Sequence, residues 1–330
     1  MSKMMRTKFS KVLLGSLIIA AIFCGAMAQA STRLTLSGGG MGGGWFIYLT
    51  ALADVWEPNI PDLMTTVVPG AGISNIISVD EKLTDIGLTF NINAFEAIHG
   101  LEPFGKKYTD LRSLFNMRRP AIYHFPVLSR LGISSLDELV EKQYPIRIDS
   151  GQRGSGGELG VSRILEAHGV TYEDIRSWGG SVSFSSQSDA IGRIRDGHLD
   201  AVWNNATLGI PWLLDLTQTT EVTFLTLNEE AVEKLQKTYG YVPELVEAGV
   251  YPKQDQPFLS VSELAIAFVH KDMDEDLVYT LTKLVWENID YLYKIHPGFE
   301  DMDPKTSWMD AGFELHPGAE RYYREMGYMP

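Results

Sequence analysis

The chain has 330 residues, with 42 Asp and Glu against 28 Lys and Arg, a formal net charge of −14, and one cysteine, Cys24. A protein this acidic repels the phosphates of nucleic acids and the surface of anionic membranes, which excludes both as partners. A single cysteine leaves no internal disulfide to hold the fold, so it must rest on its core, and this length is ordinary for two lobes.

Residues 1–30, MSKMMRTKFSKVLLGSLIIAAIFCGAMAQA, open with Lys3, Arg6, Lys8 and Lys11, continue through an apolar stretch from Val12 to Cys24, and close on Ala28-Gln29-Ala30. This is the pattern of a secretory signal peptide cleaved near Ala30, too short and wrongly flanked for a permanent span. Lipid attachment at Cys24 is the alternative, opposed by the bulk of Phe23 just before it. An exported chain without cysteine fits a bacterial periplasmic protein. No later apolar run reaches about 18 residues, which predicts a soluble mature protein.

From Arg33 to Glu57 the sequence reads RLTLSGGGMGGGWFIYLTALADVWE: strand-like alternation through Ser37, six glycines among the next seven residues, then an amphipathic helix from Trp45 to Trp56. Bare backbone at a helix start leaves unpaired N–H groups open to a ligand, and the helix dipole favours a negative group there. Gly38–Gly40 and Gly42–Gly44 therefore read as an anion cradle, or as a turn that lets strand and helix pack closely.

A strand from Leu63 to Val68 and the turn Pro69-Gly70-Ala71-Gly72 lead to a helix, Ser74 to Lys82, with Ser74 or Asn75 as its cap. A strand, Ile86 to Phe90, ends at Asn91-Ile92-Asn93 before a helix from Ala94 to His99. This order implies a parallel sheet with ligand groups at the strand C-termini. Leu111 to Leu128 is extended and broken by prolines, the first crossing into a second lobe. That lobe opens with a helix (Ser135 to Lys142) and a strand (Ile146 to Asp149). Gly151-Gln152-Arg153-Gly154-Ser155-Gly156-Gly157 then precedes a helix from Glu158 to His168, a second glycine loop facing the first across a cleft. Next come a helix from Ser188 to Asp196, a strand from Asp200 to Trp203 ending in Asn204-Asn205, and a short helix from Pro211 to Leu216. A strand (Val222 to Leu227) and a helix (Glu229 to Thr238) follow. Leu259 to His270 is the returning strand, and helices Asp274 to His296 and Gly318 to Met326 finish the first lobe.

Gly38-Gly39-Gly40-Met41-Gly42-Gly43 satisfies G-x-G-x-x-G, but the next strand ends Val67-Val68-Pro69-Gly70 without the acid that would bind a ribose. No Lys-Ser/Thr pair follows either loop, so a nucleotide P-loop fails. Ser155 misses the nucleophile-elbow spacing, and the seven histidines form no H-x-H or H-x-x-x-H pair. Enzyme chemistry, cofactors and metals are accordingly not predicted. Ser155 reads either as a hydroxyl donor to a ligand or as a helix cap. Asn91, Asn93, Asn204 and Asn205 follow strand ends, as ligand-binding amides or as turn formers. Trp45 and Phe46 read as one cleft wall and one core residue. Arg118 and Arg119 can pair with a carboxylate or stand solvated in the crossing.

The segments SGGGMGGGWF, PGAGISN, TDIGLTFNINAFEAIHG, SGQRGSGGELG, RIRDGHLDAVW and ELHPGAERYYREMG occur in this order, behind the export signal. The chain thereby resembles the TAXI family, the TRAP-associated extracytoplasmic immunogenic solute receptors of tripartite transporters. The resemblance implies an α/β, two-lobed type II periplasmic-binding-protein fold that closes on a small organic anion, such as glutamate or 2-oxoglutarate, and delivers it as a monomer to a TRAP membrane permease. It implies lobe I from residues 31–118 and 263–330 and lobe II from 119–262. Trp45 and Phe46 stand where the family has tyrosines. Gly70-Ala71-Gly72-Ile73-Ser74-Asn75 replaces G-G-S-x-E-N, Phe90-Asn91-Ile92 replaces Gln-x-Asp, and Gly154-Ser155-Gly156-Gly157 replaces G-S-G-T. The ligand-binding set expected on these grounds is Gly43, Gly44, Trp45, Phe46, Asn75, Phe90, Asn91, Asn93, Arg118, Ser155, Gly156, Asn204 and Asn205. The lost polar groups point to a ligand with fewer polar groups or another shape. A periplasmic sensing module reporting to a membrane signalling protein is the alternative function.

Overall fold

The computed structural model describes residues 32–41 and 44–330. The signal-peptide reading, Cys24 and Gly43 lie outside the described residues. On either side of the first glycine run, β1 spans Thr32–Ser37 and α1 spans Gly44–Asn59. Helix α1 buries Tyr48, Leu49, Leu52, Val55 and Trp56, the spacing of one apolar helix face, and the Trp56 indole donates to the Leu281 carbonyl at 3.1 Å. β2 (Leu63–Val68), α2 (Gly72–Asp80), β3 (Ile86–Phe90) and α3 (Asn91–His99) repeat the strand-turn-helix unit. β1 pairs in parallel with both β2 and β3, as alternating strands and helices require.

The chain then runs through β4 (Leu111–Asn116), β5 (Ala121–His124), β6 (Pro126–Leu128), α4 (Leu136–Glu141), β7 (Arg147–Asp149), α5 (Gly156–Ala167), α6 (Tyr172–Ser177) and β8 (Ser181–Ser183). α7 (Gln187–Arg195), β9 (Ala201–Val202), β10 (Asn204–Ala206), α8 (Pro211–Thr219), β11 (Val222–Phe224), α9 (Glu229–Tyr239), β12 (Val242–Val246) and β13 (Phe258–Glu263) follow. β14 (Ala265–His270), α10 (Glu275–Glu287), α11 (Ile289–Ile295) and α12 (Pro317–Glu325) close the sequence.

One sheet has the order β2-β1-β3-β14-β4, with β14 antiparallel to both of its neighbours. The other two, β11-β6-β9-β7-β8 and β10-β5-β13-β12, draw their strands from residues 121–263. The lobes are joined by two adjacent antiparallel passages. β4 continues into β5 across residues 117–120, and β13 continues into β14 through Leu264, with Glu263 registered against Ala121 and the Met117 N–H bonded to the Ala265 carbonyl at 2.8 Å. Each lobe has its own core: Leu36, Leu52, Trp56 and Leu281 in the first, and Ile148, Ile164, Trp203 and Leu235 in the second.

Several local readings are corrected. α2 begins at Gly72 with Ala71 as its N-cap, so neither Ser74 nor Asn75 caps it through its own N-cap geometry. Asn91 and Asn93 belong to α3, whose N-cap is Phe90. Asn204 and Asn205 start β10 rather than ending a strand, because a second partner, β5, takes up the backbone beyond Trp203. The long C-terminal helix breaks at Asn288 (φ −116°, ψ 17°). Unanticipated elements are short: β8 has 3 residues, and β12 contains Pro243, as only an edge strand tolerates. α6 carries a capping box between Thr171 and Asp174, a signature the sequence did display.

Candidate functional site

The turns after β1 and β2 lie side by side because those strands are neighbours. The Gly38 N–H donates to the Val68 carbonyl at 3.2 Å and the Gly70 N–H to the Gly39 carbonyl at 3.1 Å. Asn75, 1% exposed, braces them: its amide donates to the Gly38 and Leu88 carbonyls at 2.8 Å each. This brace explains the glycine at 70, where a Cβ would lie 2.0 Å from the Asn75 Oδ1. Ala71 offers α2 no side-chain cap, and the first residues of that helix, Gly72 and Ile73, line a cavity.

The opposing loop, after β7, is braced by its own groups. The Ser155 hydroxyl accepts the Glu158 N–H at 3.2 Å, and the Glu158 carboxylate accepts the Gly154 N–H at 2.9 Å. Ser155 is thus a helix cap, as one of its two readings held, while its residue also lines the cavity together with Gly156, Leu159 and Arg163.

The cavity measures about 770 Å³ and lies between the lobes. Its walls are mostly apolar: Trp45 and Phe90, ring centroids 4.9 Å apart and tilted at 55°, with Ile73, Ile92, Pro103 and Leu159. Its polar groups are Asn93, Glu96, Arg163 and Glu263, with Glu102 exposed among the lining residues. Glu96 of α3 and Arg163 of α5 form an ion pair that joins the lobes, with side chains 4% and 12% exposed. The Arg163 guanidinium also lies 4.3 Å above the Tyr239 ring.

Burial raises the pKa of Glu96 despite the attraction of Arg163. Glu263, 2% exposed, is pushed up to about 7 by burial, with the hydrogen bond from Asn205 and the charge of Arg163 opposing and the charge of Glu96 adding to the rise. Nearby Tyr241 is pushed up to about 12, by burial first and then by the Glu263 charge. A low-dielectric end of the cleft therefore holds two carboxylates beside one guanidinium.

Of the expected ligand set, Trp45, Phe90, Asn93, Ser155 and Gly156 meet at the cavity. The others have different surroundings. Gly44 opens α1 near His296, whose Nε2 would be 3.6 Å from a Cβ at that position. Phe46, one position past Trp45 on the helix, is absent from the lining. Asn75 is used within the first lobe. Asn91 ties the passage between lobes: its Oδ1 accepts the Leu264 N–H at 2.7 Å and its amide donates to the Gly240 carbonyl at 2.8 Å. Arg118, in a left-handed conformation (φ 46°), sets its guanidinium 3.7 Å from Asp310, outside the lining. The Asn204 Oδ1 accepts the Asn205 N–H at 2.9 Å, and Asn205 reaches the cleft through its bond to Glu263.

Glu96, Arg163 and Glu263 were not singled out from the sequence. Glu96 and Asn93 are three residues apart on one helix, and Gly156, Leu159 and Arg163 follow at steps of three and four on another. Glu263 is the lone acid in the apolar run LSVSELAIAFV, a signal that could have been read.

The model of the NMT1-like family matches residues 36–327. The chain is similar to the structure of a TctC solute binding protein from Polaromonas, at 14% identity and a TM-score of 0.53, over 92% of this chain and all of that one. The periplasmic aliphatic sulphonate binding protein SsuA from Escherichia coli matches at 13% identity and a TM-score of 0.44, over 91% of this chain and 84% of that one. PhnD1 from Prochlorococcus marinus, in complex with methylphosphonate, matches at 12% identity and a TM-score of 0.44, over 91% of this chain and 100% of that one. The fold is the two-lobed α/β fold of periplasmic solute-binding proteins.

Proposed function

The chain belongs to the NMT1-like family, and from that premise we propose that it is a periplasmic solute receptor which closes its lobes on a small organic acid and presents it to the membrane permease of a tripartite transporter. The observation that carries this reading is the cavity of about 770 Å³ between the lobes, large enough for a small organic solute and walled by residues of both. Glycine turns bring backbone close to the cavity, and the starts of α2 and α5 border it. Helix N-termini favour a carboxylate even in an acidic protein, because their partial positive charge acts locally. The resemblance to TAXI receptors and the export signal support delivery to a tripartite permease. The protein acts by binding, without a catalytic step.

Closure follows from the two narrow passages at residues 117–120 and Leu264, about which the lobes rotate when a ligand touches both. Calorimetry of the refolded mature protein against a panel of mono- and dicarboxylates tests capture. Small-angle scattering with the binding acid tests closure and is expected to show compaction. Absence of binding across the panel, with no small molecule released from the purified protein on denaturation, overturns the reading.

A further inference from the structure

Glu263 is nearly withdrawn from water yet borders the cavity, and it stands at the end of β13 just before the passage between lobes. Among the described residues its hydrogen-bond partner is the neutral amide of Asn205, and no cation lies within 4 Å of its carboxylate. Arg163 acts on Glu263 only from a distance, because its guanidinium is bonded to Glu96 and stacked on Tyr239. Two buried carboxylates thus share one cation beside an interlobe space. A buried carboxylate without a cationic partner is costly, and a ligand cation placed there would remove much of that cost.

We propose that Glu263 forms the subsite for a protonated nitrogen of the captured solute, so that the solute is a zwitterion whose apolar body lies against Trp45, Phe90 and Leu159. This rests on the reading of the protein as a receptor for a small organic acid. The acid group meets the helix starts at Gly72 and Gly156, the nitrogen meets Glu263, and the largely apolar walls take the carbon skeleton between them. Such a solute is longer and less polar than a compact dicarboxylate. Its binding ionises Glu263, which passes its proton to the buffer as the ammonium takes that proton's place.

The test uses two matched series on the refolded mature chain: hexanoate, hexylamine and 6-aminohexanoate, and 4-methylbenzoate, 4-methylbenzylamine and 4-(aminomethyl)benzoate. Titration calorimetry is expected to rank at least one zwitterion ten-fold or more above both of its single-charge partners. Glu263→Gln should erase that preference, bringing the zwitterion level with its matched acid. Repeating the wild-type titration at pH 7 in two buffers of different ionisation enthalpy gives a readout that needs no variant, and should show proton release with the zwitterion. Equal affinity of acid and zwitterion, without proton release, overturns the nitrogen subsite and leaves the receptor reading standing. If none of the six compounds binds, the subsite is overturned for solutes of this size. If the carboxylate panel is empty as well, the receptor reading falls with it.

Discussion

Asp149, at the end of β7, and Glu263, at the end of β13, are equally withdrawn from water, at 0% and 2% exposure, but differ in how they are held. The Asp149 carboxylate accepts from the N–H groups of Gly151 and Ser185 at 3.0 and 3.1 Å and from the hydroxyls of Ser183 and Ser185 at 2.8 Å each, with Arg193 3.5 Å away. Glu263 has one amide and faces a cavity. The first acid braces the loop that leads to α5, and the second is open to an occupant. Donor count, rather than burial, separates an acid that builds the fold from one available to a ligand.

The sharpest way to break this contrast is Asp149→Ala. Removing the acceptor strands several buried donors, and a loss of the order of 3–5 kcal/mol is expected. Urea unfolding at pH 7 measures it; a loss below about 1 kcal/mol, the worth of one ordinary hydrogen bond, would show that Asp149 is no brace.

Glu263 should act in the opposite sense. Its pKa is raised to about 7 in the folded protein, so below the ordinary carboxyl value of 4.5 both folded and unfolded states hold the proton and no penalty applies. As pH climbs from about 4.5 to about 7, the unfolded state ionises while the folded state still holds the proton, so stability falls across that window and levels off above it, by about 3 kcal/mol in all for a shift of this size. Glu263→Gln should flatten that segment of the pH–stability profile and exceed the wild type at pH 8. Parallel profiles for the two proteins would mean that the Glu263 charge is already neutralised in the unliganded state.

A smaller change is expected from Asn75→Ala, about 2 kcal/mol, since two carbonyls lose a buried donor. Ser155→Ala should remove only a helix cap, about 1 kcal/mol in thermal unfolding. If Asn75→Ala proves the milder of the two, the bracing of the first-lobe turns lies elsewhere than in this amide.

Most of the strands and helices were legible because their signals are local. β2, β3 and α9 carry periodicity and cap residues within their own few positions, and the glycine turns announced where strands hand over to helices. Asn75, Asn91 and Asn204 show where such reading stops. An amide near a strand end or glycine turn has the same appearance whether it serves a ligand or the backbone, and only the positions of Gly38, Leu88, Gly240 and Leu264 decide which. Arg118 shows the same limit. It lies in the passage between lobes, but its side chain pairs with Asp310, which returns from the far end of the chain.

The sequence by itself determined most of the succession of strands and helices, the absence of a disulfide and the two glycine-bordered helix starts, since periodicity, cysteine count and backbone bulk are properties of neighbouring residues. Tertiary structure decided the chemistry of the cleft. Glu96 meets Arg163 across 67 positions, a pairing that exists only once two lobes have been set against each other, and Asn205 meets Glu263 across 58, a pairing made by the second lobe's own sheet. Charge is cancelled or left unpaired by distance in space, and that distance cannot be read from spacing along the chain.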